Sequence, residues 1–122
     1  MAKILVVDDE IESRELLSEF LTMRGFEVET ASRGSVALEK IAAGPPDLVL
    51  LDVRMPGMNG LQILKAAKAL HPDLGVIMVS AVLDGAIARE AMKLGAYDYI
   101  TKPIDINYLA TKVIPTFLAL IG

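Results

Sequence analysis

The chain has 122 residues, is 53% hydrophobic, contains no cysteine and carries a net charge of −4. This length matches one domain with a sizeable core, and without cysteine neither a disulfide framework nor a thiolate metal site can form. No basic run suggests nucleic-acid binding, and the longest apolar stretches, about five residues, fall far short of the ~20 that cross a bilayer. We therefore expect one cytoplasmic domain, residues 1–122, without direct nucleic-acid or membrane contact.

Five short segments predict the strands of a sheet. The apolar runs at 4–7, 48–51 and 76–79 are continuous, as in strands covered on both faces of a parallel sheet. The segment 26–30 alternates, as a strand nearer the edge would, and 97–100 is the last candidate. Segments with apolar residues at helical spacing separate these strands, and one more follows. The pattern predicts an α/β fold with right-handed crossovers and a doubly wound sheet.

Residues with capping preferences mark the predicted helix ends. Side-chain oxygens stand where helices should begin, at Ser32, Asn59 and Asp84. Glycines that favour a left-handed conformation follow the predicted helix ends, at Gly25, Gly44 and Gly95. The chain is thereby divided into five β-α units without a linker.

The last helical segment is unusually apolar. Seven apolar residues cover roughly half of its circumference, namely Leu109, Val113, Ile114, Phe117, Leu118, Leu120 and Ile121. Pro115 removes a donor and crowds the carbonyl of Thr111, which predicts a kink or an early end. Two interpretations remain open: a terminal helix packed on the sheet, or one that adds a surface for a dimer or partner.

Polar side chains follow four of the predicted strands. Asp8 and Asp9 follow the first strand, Asp52 the third, Ser80 the fourth and Lys102 the fifth. In a doubly wound sheet these strand ends share one edge, where ligands bind. Repulsion among three acids is relieved by raised pKa values or by a divalent cation with oxygen ligands. The sequence therefore predicts a site that combines acid, metal, hydroxyl and ammonium.

Four motifs in this order resemble the receiver domain of two-component response regulators. They are VVDDE at 6–10, LDVRMPGMNG at 51–60, SA at 80–81 and GAYDYITKP at 95–103. The resemblance covers essentially the whole chain. It implies a flavodoxin-like three-layer sandwich with five helices and a five-stranded parallel sheet of order 2-1-3-4-5.

The resemblance also implies a phosphorylation site. Asp52 would accept a phosphoryl group from a sensor histidine kinase or phosphotransfer protein, and Lys102 and Ser80 would contact that group, with the Ala81 amide nearby. Pro103, after a cis peptide bond, would hold the Lys102 backbone. Self-phosphorylation from a phosphodonor and autodephosphorylation would be the only enzymatic activities.

The same resemblance implies a Mg²⁺ or Mn²⁺ site. Asp9 would ligate the ion most directly, together with Asp52 and the main-chain carbonyl of Arg54. Asp8 would assist directly or through water. Such a site, with few carboxylates beside waters and phosphate oxygens, suits magnesium.

A switching role follows from the resemblance. Ser80 and Tyr99 would shift on phosphorylation and reshape the surface of the fourth helix, fifth strand and fifth helix, which would bind a target protein or output domain or form a homodimer. Lys112 and Pro115 depart from the common family pattern there and cast doubt on the usual dimer salt bridges. Arg54 and Val82 would set the lifetime of the phosphoryl group. Because the resemblance accounts for almost all 122 residues, we expect no output domain within them, and the chain is either a stand-alone regulator or a fragment of a longer one.

Several other interpretations compete. Asp52 would merely cap a loop or pair with Lys102, Ser80 would be a buried backbone-bonded hydroxyl, and Tyr99 a half-exposed strand residue. A haloacid-dehalogenase-type phosphohydrolase would place its nucleophile after the first strand, and a flavodoxin-like cofactor module would want a Gly-rich first loop rather than acids. A receiver-like module that binds partners without phosphate is the remaining alternative.

Overall fold

The computed structural model describes residues 2–55, 57, 59–81 and 84–121. Its strands are β1 (Lys3–Val7), β2 (Glu27–Ala31), β3 (Leu48–Asp52), β4 (Gly75–Ser80) and β5 (Asp98–Thr101). The first helices are α1 (Ile11–Met23), α2 (Gly34–Ala43), α3 (Gly60–Leu70) and α4 (Gly85–Lys93). A C-terminal helix then runs through Ile106–Tyr108, Leu109–Val113 and Ile114–Ile121. None of the helices described is long and apolar enough to cross a membrane.

All strand pairings are parallel, and the sheet order is β2-β1-β3-β4-β5. The predicted fold class, strand order and helix number are confirmed. Every residue of β3 and β4 is buried, whereas β2, at the edge, is mostly half-buried. Continuous and alternating apolar patterns thus distinguished central from edge strands, because only central strands are covered on both faces.

Helices cover both faces of the sheet, with an apolar core on each side. Successive side chains of a strand point to opposite faces of the sheet, so Leu5 and Val7 of β1 lie in the core formed with α2, α3 and α4. Ile4 and Val6 lie in the opposite core, which contains residues of α1 and the C-terminal helix. The result is the predicted three-layer sandwich.

The capping predictions are partly right. Asn59 caps α3 and forms a capping box with Gln62, and the Asp84 side chain accepts from two backbone amides at the start of α4. The prediction for Ser32 is wrong, because α2 begins at Gly34 after Arg33, which makes no side-chain cap hydrogen bond.

Two of the three helix-end glycines behave as predicted. Gly25 and Gly95 have φ values of +91° and +101°. The left-handed conformation predicted for Gly44 is wrong. Its φ of −172° is extended, and its amide continues the helix ladder to Lys40.

The C-terminal helix neither stops early nor remains α-helical throughout. Leu109–Val113 forms a π-helical stretch, in which the Ile114 amide donates to the carbonyl of Leu109 five residues earlier. This wide turn lies immediately before Pro115, which has no amide proton and crowds the preceding turn of an α-helix. We infer that the π turn accommodates the proline, so the helix continues to Ile121.

The inward face of the C-terminal helix packs on the sheet, as the first interpretation holds. Five residues are buried, namely Leu109, Ala110, Val113, Ile114 and Phe117. The Phe117 ring lies over Gly75, where a Cβ atom would come within 2.1 Å of the ring, and meets Tyr97 edge-on with 4.9 Å between centroids. Leu120 is exposed, and the Ile121 side chain lies outside the described part of the chain.

Candidate functional site

Four of the predicted polar residues come together at one edge of the sheet. Asp52 is the last residue of β3 and Ser80 the last of β4, while Asp8 and Lys102 each follow a strand directly. Because Val7 of β1 pairs with Leu51 of β3, Asp8 and Asp52 extend from neighbouring strands at the same level. The parallel topology therefore brings together residues that are far apart in the sequence.

The ammonium group of Lys102 is at the centre of this edge. Its Nζ atom donates to Asp8 Oδ2 at 3.0 Å, to Asp52 Oδ2 at 3.1 Å and to Glu10 Oε1 at 3.3 Å. Asp8 and Asp52 are buried, whereas Glu10 is exposed. One positive charge therefore faces three carboxylates, which leaves a local excess of negative charge.

Main-chain hydrogen bonds hold Asp8 in place. Its Oδ1 atom accepts from the Glu10 amide at 2.9 Å, and its own amide donates to the Ala31 carbonyl at 3.1 Å. The Arg14 guanidinium donates to the Asp8 carbonyl at 2.8 Å. The first strand end and the start of α1 are thus tied together, and the second Asp8 oxygen points to Lys102.

Asp52 is held in a comparable way. Its Oδ1 atom accepts from the Arg54 amide at 3.1 Å, which orients Oδ2 toward Lys102. Behind it, the Gly60 amide donates to the Val53 carbonyl at 2.8 Å. A Cβ atom on Gly60 would lie 2.7 Å from the Asp52 carbonyl oxygen, so only glycine allows α3 to start this close to β3.

The electrostatic environment shifts two pKa values. Burial raises the pKa of Asp52, and the nearby Asp8 charge adds to this, although hydrogen bonds from the Arg54 amide and Lys102 oppose it. Burial lowers the pKa of Lys102, but the hydrogen bonds that its ammonium donates to Asp8 and Asp52 outweigh this and raise that pKa overall. Lys102 therefore stays charged, while Asp52 bears an electrostatic cost that a further cation would relieve.

A divalent cation suits this arrangement. Among the residues that the structure describes, Asp8, Glu10 and Asp52 each offer a carboxylate oxygen, and these oxygens lie within 4.8 Å of one another. Oxygen ligands with excess negative charge are what Mg²⁺ requires. The cluster therefore fits the Mg²⁺ site of a receiver domain.

The composition of this cluster differs from the predicted ligand set. Asp9 is exposed and its carboxylate is not part of the cluster, so direct ligation by Asp9 stays a prediction. Glu10 belongs to the cluster although the sequence analysis assigned it no role. The sequence does contain an indication of this role, because Glu10 is the third consecutive acid after β1.

The residues around Lys102 connect it to β4. The Lys102 amide donates to the Ser80 carbonyl at 2.7 Å, and the Lys102–Pro103 peptide bond is cis, as the resemblance implied. Ser80 is buried, and Ala81 next to it is exposed. Ser80 thus lies one strand away from Asp52, at the site's inner wall.

Three further predicted residues lie around the site. Tyr99 on β5 is half-buried and packs against the core on the side of α2, α3 and α4. Arg54 is exposed and lines a groove of about 450 Å³ beside Asp52. Val82 lies outside the described residues.

A parallel sheet of this order with acidic strand ends and a lysine after β5 is typical of the receiver domains of response regulators. The family model described as response regulator receiver domain matches residues 4–114. The chain belongs to this family, which acts in two-component signal transduction. Receiver domains are signalling switches rather than conventional enzymes, so the phosphohydrolase and flavodoxin-like interpretations are set aside.

Similar proteins have different lengths. Sporulation initiation phosphotransferase F of Bacillus subtilis is 38% identical over 111 residues, which cover 91% of this chain and 90% of that protein. Regulatory protein AtoC of Escherichia coli is 40% identical over 107 residues, or 88% of this chain and 23% of that protein. The chain thus spans about a quarter of AtoC but nearly all of the sporulation protein.

Solved structures share the same fold. A CheY-like response regulator receiver domain protein from Methanospirillum hungatei superposes with a TM-score of 0.92 at 29% identity, covering 98% of this chain and 95% of that one. NtrX from Brucella abortus gives a TM-score of 0.90 at 38% identity, covering 98% of this chain and 28% of that one. The receiver fold therefore occurs both alone and within longer chains.

Proposed function

We propose that Asp52 accepts a phosphoryl group from the phosphohistidine of a sensor kinase or phosphotransfer protein, and that this event switches a protein-binding surface. The observation that carries the proposal is the contact between the buried Asp52 carboxylate and Lys102 at the edge where Asp8 also lies. A nucleophilic carboxylate and a cation for the transferred oxygens are what phosphoryl transfer requires of its acceptor.

The transfer is a displacement at phosphorus. An Asp52 carboxylate oxygen forms the new bond to phosphorus while the bond to the histidine nitrogen breaks. The nitrogen keeps the electron pair and takes up a proton from solvent. Lys102 binds a phosphoryl oxygen as a point charge, and Ser80 donates its hydroxyl to another.

The acidic cluster would hold the metal. Asp9 would ligate the ion most directly, together with Asp52 and the Arg54 carbonyl, and Asp8, which lies with Asp52 in the acidic cluster, would assist directly or through water. When bound, Mg²⁺ or Mn²⁺ supplies positive charge that neutralises the carboxylates and polarises the phosphoryl oxygens. Burial raises the pKa of Asp52 and the Asp8 charge adds to this, so a cation at the cluster would relieve the cost of the charged carboxylate.

The new charge is then communicated to the surface. A phosphoryl group adds about −1.5 to −2 charges, and Ser80 moves toward it. Tyr99, half-buried on the neighbouring strand β5, follows and changes the surface of α4, β5 and the C-terminal helix. The output is a population shift between two forms of this surface.

The partners follow from the family. A kinase or phosphotransfer protein supplies the phosphoryl group in the cytoplasm, and a target protein, an output domain or a second copy binds the switched surface. The exposed residues Tyr108 and Met92 lie on the C-terminal helix and α4 and supply apolar area for this contact. Arg54, which is exposed beside Asp52, would tune the lifetime of the phosphoryl group by flanking the path of the hydrolytic water, and the sequence predicts the same tuning role for Val82.

Intact mass spectrometry with acetyl phosphate tests the proposal. The parent should gain one phosphoryl group in the presence of Mg²⁺, and Asp52→Asn should gain none. No gain in the parent would favour a receiver-like module that binds its partners without phosphate.

A further inference from the structure

All three N–H donors of the Lys102 ammonium group have carboxylate partners. An ammonium group has three N–H donors, and its partners are Asp8 Oδ2, Asp52 Oδ2 and Glu10 Oε1. A phosphoryl oxygen that binds Lys102 must therefore displace one of the three carboxylates. Phosphorylation of Asp52 includes the loss of one existing contact.

The three carboxylates differ in how easily they can leave. The side chains of Asp8 and Asp52 are only 5% and 8% exposed, and backbone amides hold the other oxygen of each. The Glu10 side chain is 65% exposed, and its contact is the longest of the three at 3.3 Å. A released Glu10 carboxylate would be solvated at once, whereas a buried carboxylate without its partner is destabilising.

We propose that Glu10 is a positioning residue that occupies Lys102 in the resting state and competes with the incoming phosphoryl group for it. This inference rests on the proposed function of Asp52. Glu10 limits phosphorylation in two ways, because until the bond to phosphorus forms it holds the Lys102 donor that an incoming phosphoryl oxygen can take without uncovering a buried carboxylate, and because its charge repels an anionic donor. A phosphodonor that does not displace the Glu10 carboxylate from Lys102 should therefore phosphorylate Asp52 more slowly.

The variant Glu10→Gln tests this competition, since it keeps the size of the side chain and removes the charge. Exposed ion pairs are weak, so we expect phosphorylation by acetyl phosphate with Mg²⁺ to become about two- to fivefold faster. The apparent affinity for beryllofluoride, an anionic phosphoryl mimic, should rise by a similar factor. This equilibrium measurement does not depend on turnover.

Glu12→Gln is the matched control. Glu12 is exposed in the first turn of α1, so its substitution changes the net charge equally without touching Lys102. Its phosphorylation rate and beryllofluoride affinity should stay within about twofold of the parent, as for surface charges without close partners. The free energies of unfolding of both variants should match the parent closely.

The outcomes separate this inference from the proposed function. Equal behaviour of Glu10→Gln and Glu12→Gln, with a parent that is phosphorylated, would overturn the competition alone. A slower Glu10→Gln variant whose Mg²⁺ affinity, followed by NMR titration, falls about tenfold or more would identify Glu10 as a metal ligand and overturn it as well. A parent that gains no phosphate would overturn both proposals.

Discussion

Gly60 lies so close to Asp52 that a Cβ atom at position 60 would come within 2.7 Å of the Asp52 carbonyl oxygen. The first residue of α3 therefore touches the backbone of the proposed acceptor, Asp52. Asn59 and Gln62 fix this helix start through their capping box. The position of Asp52 thus depends on the packing of Gly60 against its backbone as well as on the contact of its carboxylate with Lys102.

Substitution of Gly60 should disturb the acceptor. Gly60→Ala forces the backbone of α3 or β3 to move, and we expect a loss of about 1–3 kcal/mol in the free energy of unfolding, with slower phosphorylation of Asp52. Gly44→Ala is the control, because a Cβ there meets nothing within 4 Å and its φ is extended. Chemical denaturation and acetyl phosphate labelling measure both effects, and equal stabilities of the two variants would contradict the packing argument.

The raised pKa of Asp52 predicts that Asp52→Asn stabilises the metal-free protein. Folding disfavours the charged carboxylate, so its removal at pH 7 should increase the free energy of unfolding by on the order of 1 kcal/mol. The gain should shrink as pH falls through the folded pKa and vanish below the ordinary value of 3.8, where both states are protonated. Urea unfolding in EDTA at several pH values measures this, and a destabilised Asp52→Asn at pH 7 would contradict it.

Mg²⁺ should stabilise the folded protein through the acidic cluster. A ligand at tenfold excess over its dissociation constant adds about 1.4 kcal/mol to the free energy of unfolding. Asp8→Asn should lose most of this increment, because it removes a buried cluster carboxylate. Asp73→Asn, at an exposed position distant in sequence from the cluster, should keep it. Thermal unfolding with and without Mg²⁺ measures this increment. An increment in Asp8→Asn as large as in the parent would argue against Asp8 as a metal ligand.

The C-terminal helix should be an integral part of the fold. Phe117→Ala removes a buried ring that covers Gly75, and we expect a loss of about 3 kcal/mol or more in the free energy of unfolding. Leu120→Ala on the same helix should change it by less than about 0.5 kcal/mol, because Leu120 is 71% exposed. Similar losses in both variants would mean that this helix is not anchored through its inward face.

The fold was predictable because central strands leave a continuous apolar run and the carboxyl ends of parallel strands share an edge. The sequence pattern alone therefore predicts that Asp8, Asp52, Ser80 and Lys102 lie together. It could not place Glu10 against Lys102, since the reach of an exposed side chain depends on the direction in which α1 leaves β1. The sequence pattern also does not predict the π turn before Pro115. The helix continues past this proline because its inward face is buried against the sheet, and this packing is visible only in the structure.

The assignment of Asp52 as the phosphorylated residue is tested by locating the phosphoryl group in the parent protein. Acetyl phosphate and Mg²⁺ are added, the acyl phosphate is reduced with borohydride, and peptide mass spectrometry identifies the aspartate that has become homoserine. We predict conversion at position 52 and at neither Asp8 nor Asp9, although all three acids lie where β1 and β3 end at the same edge of the sheet. Conversion at position 8 or 9 with position 52 unmodified would contradict this assignment.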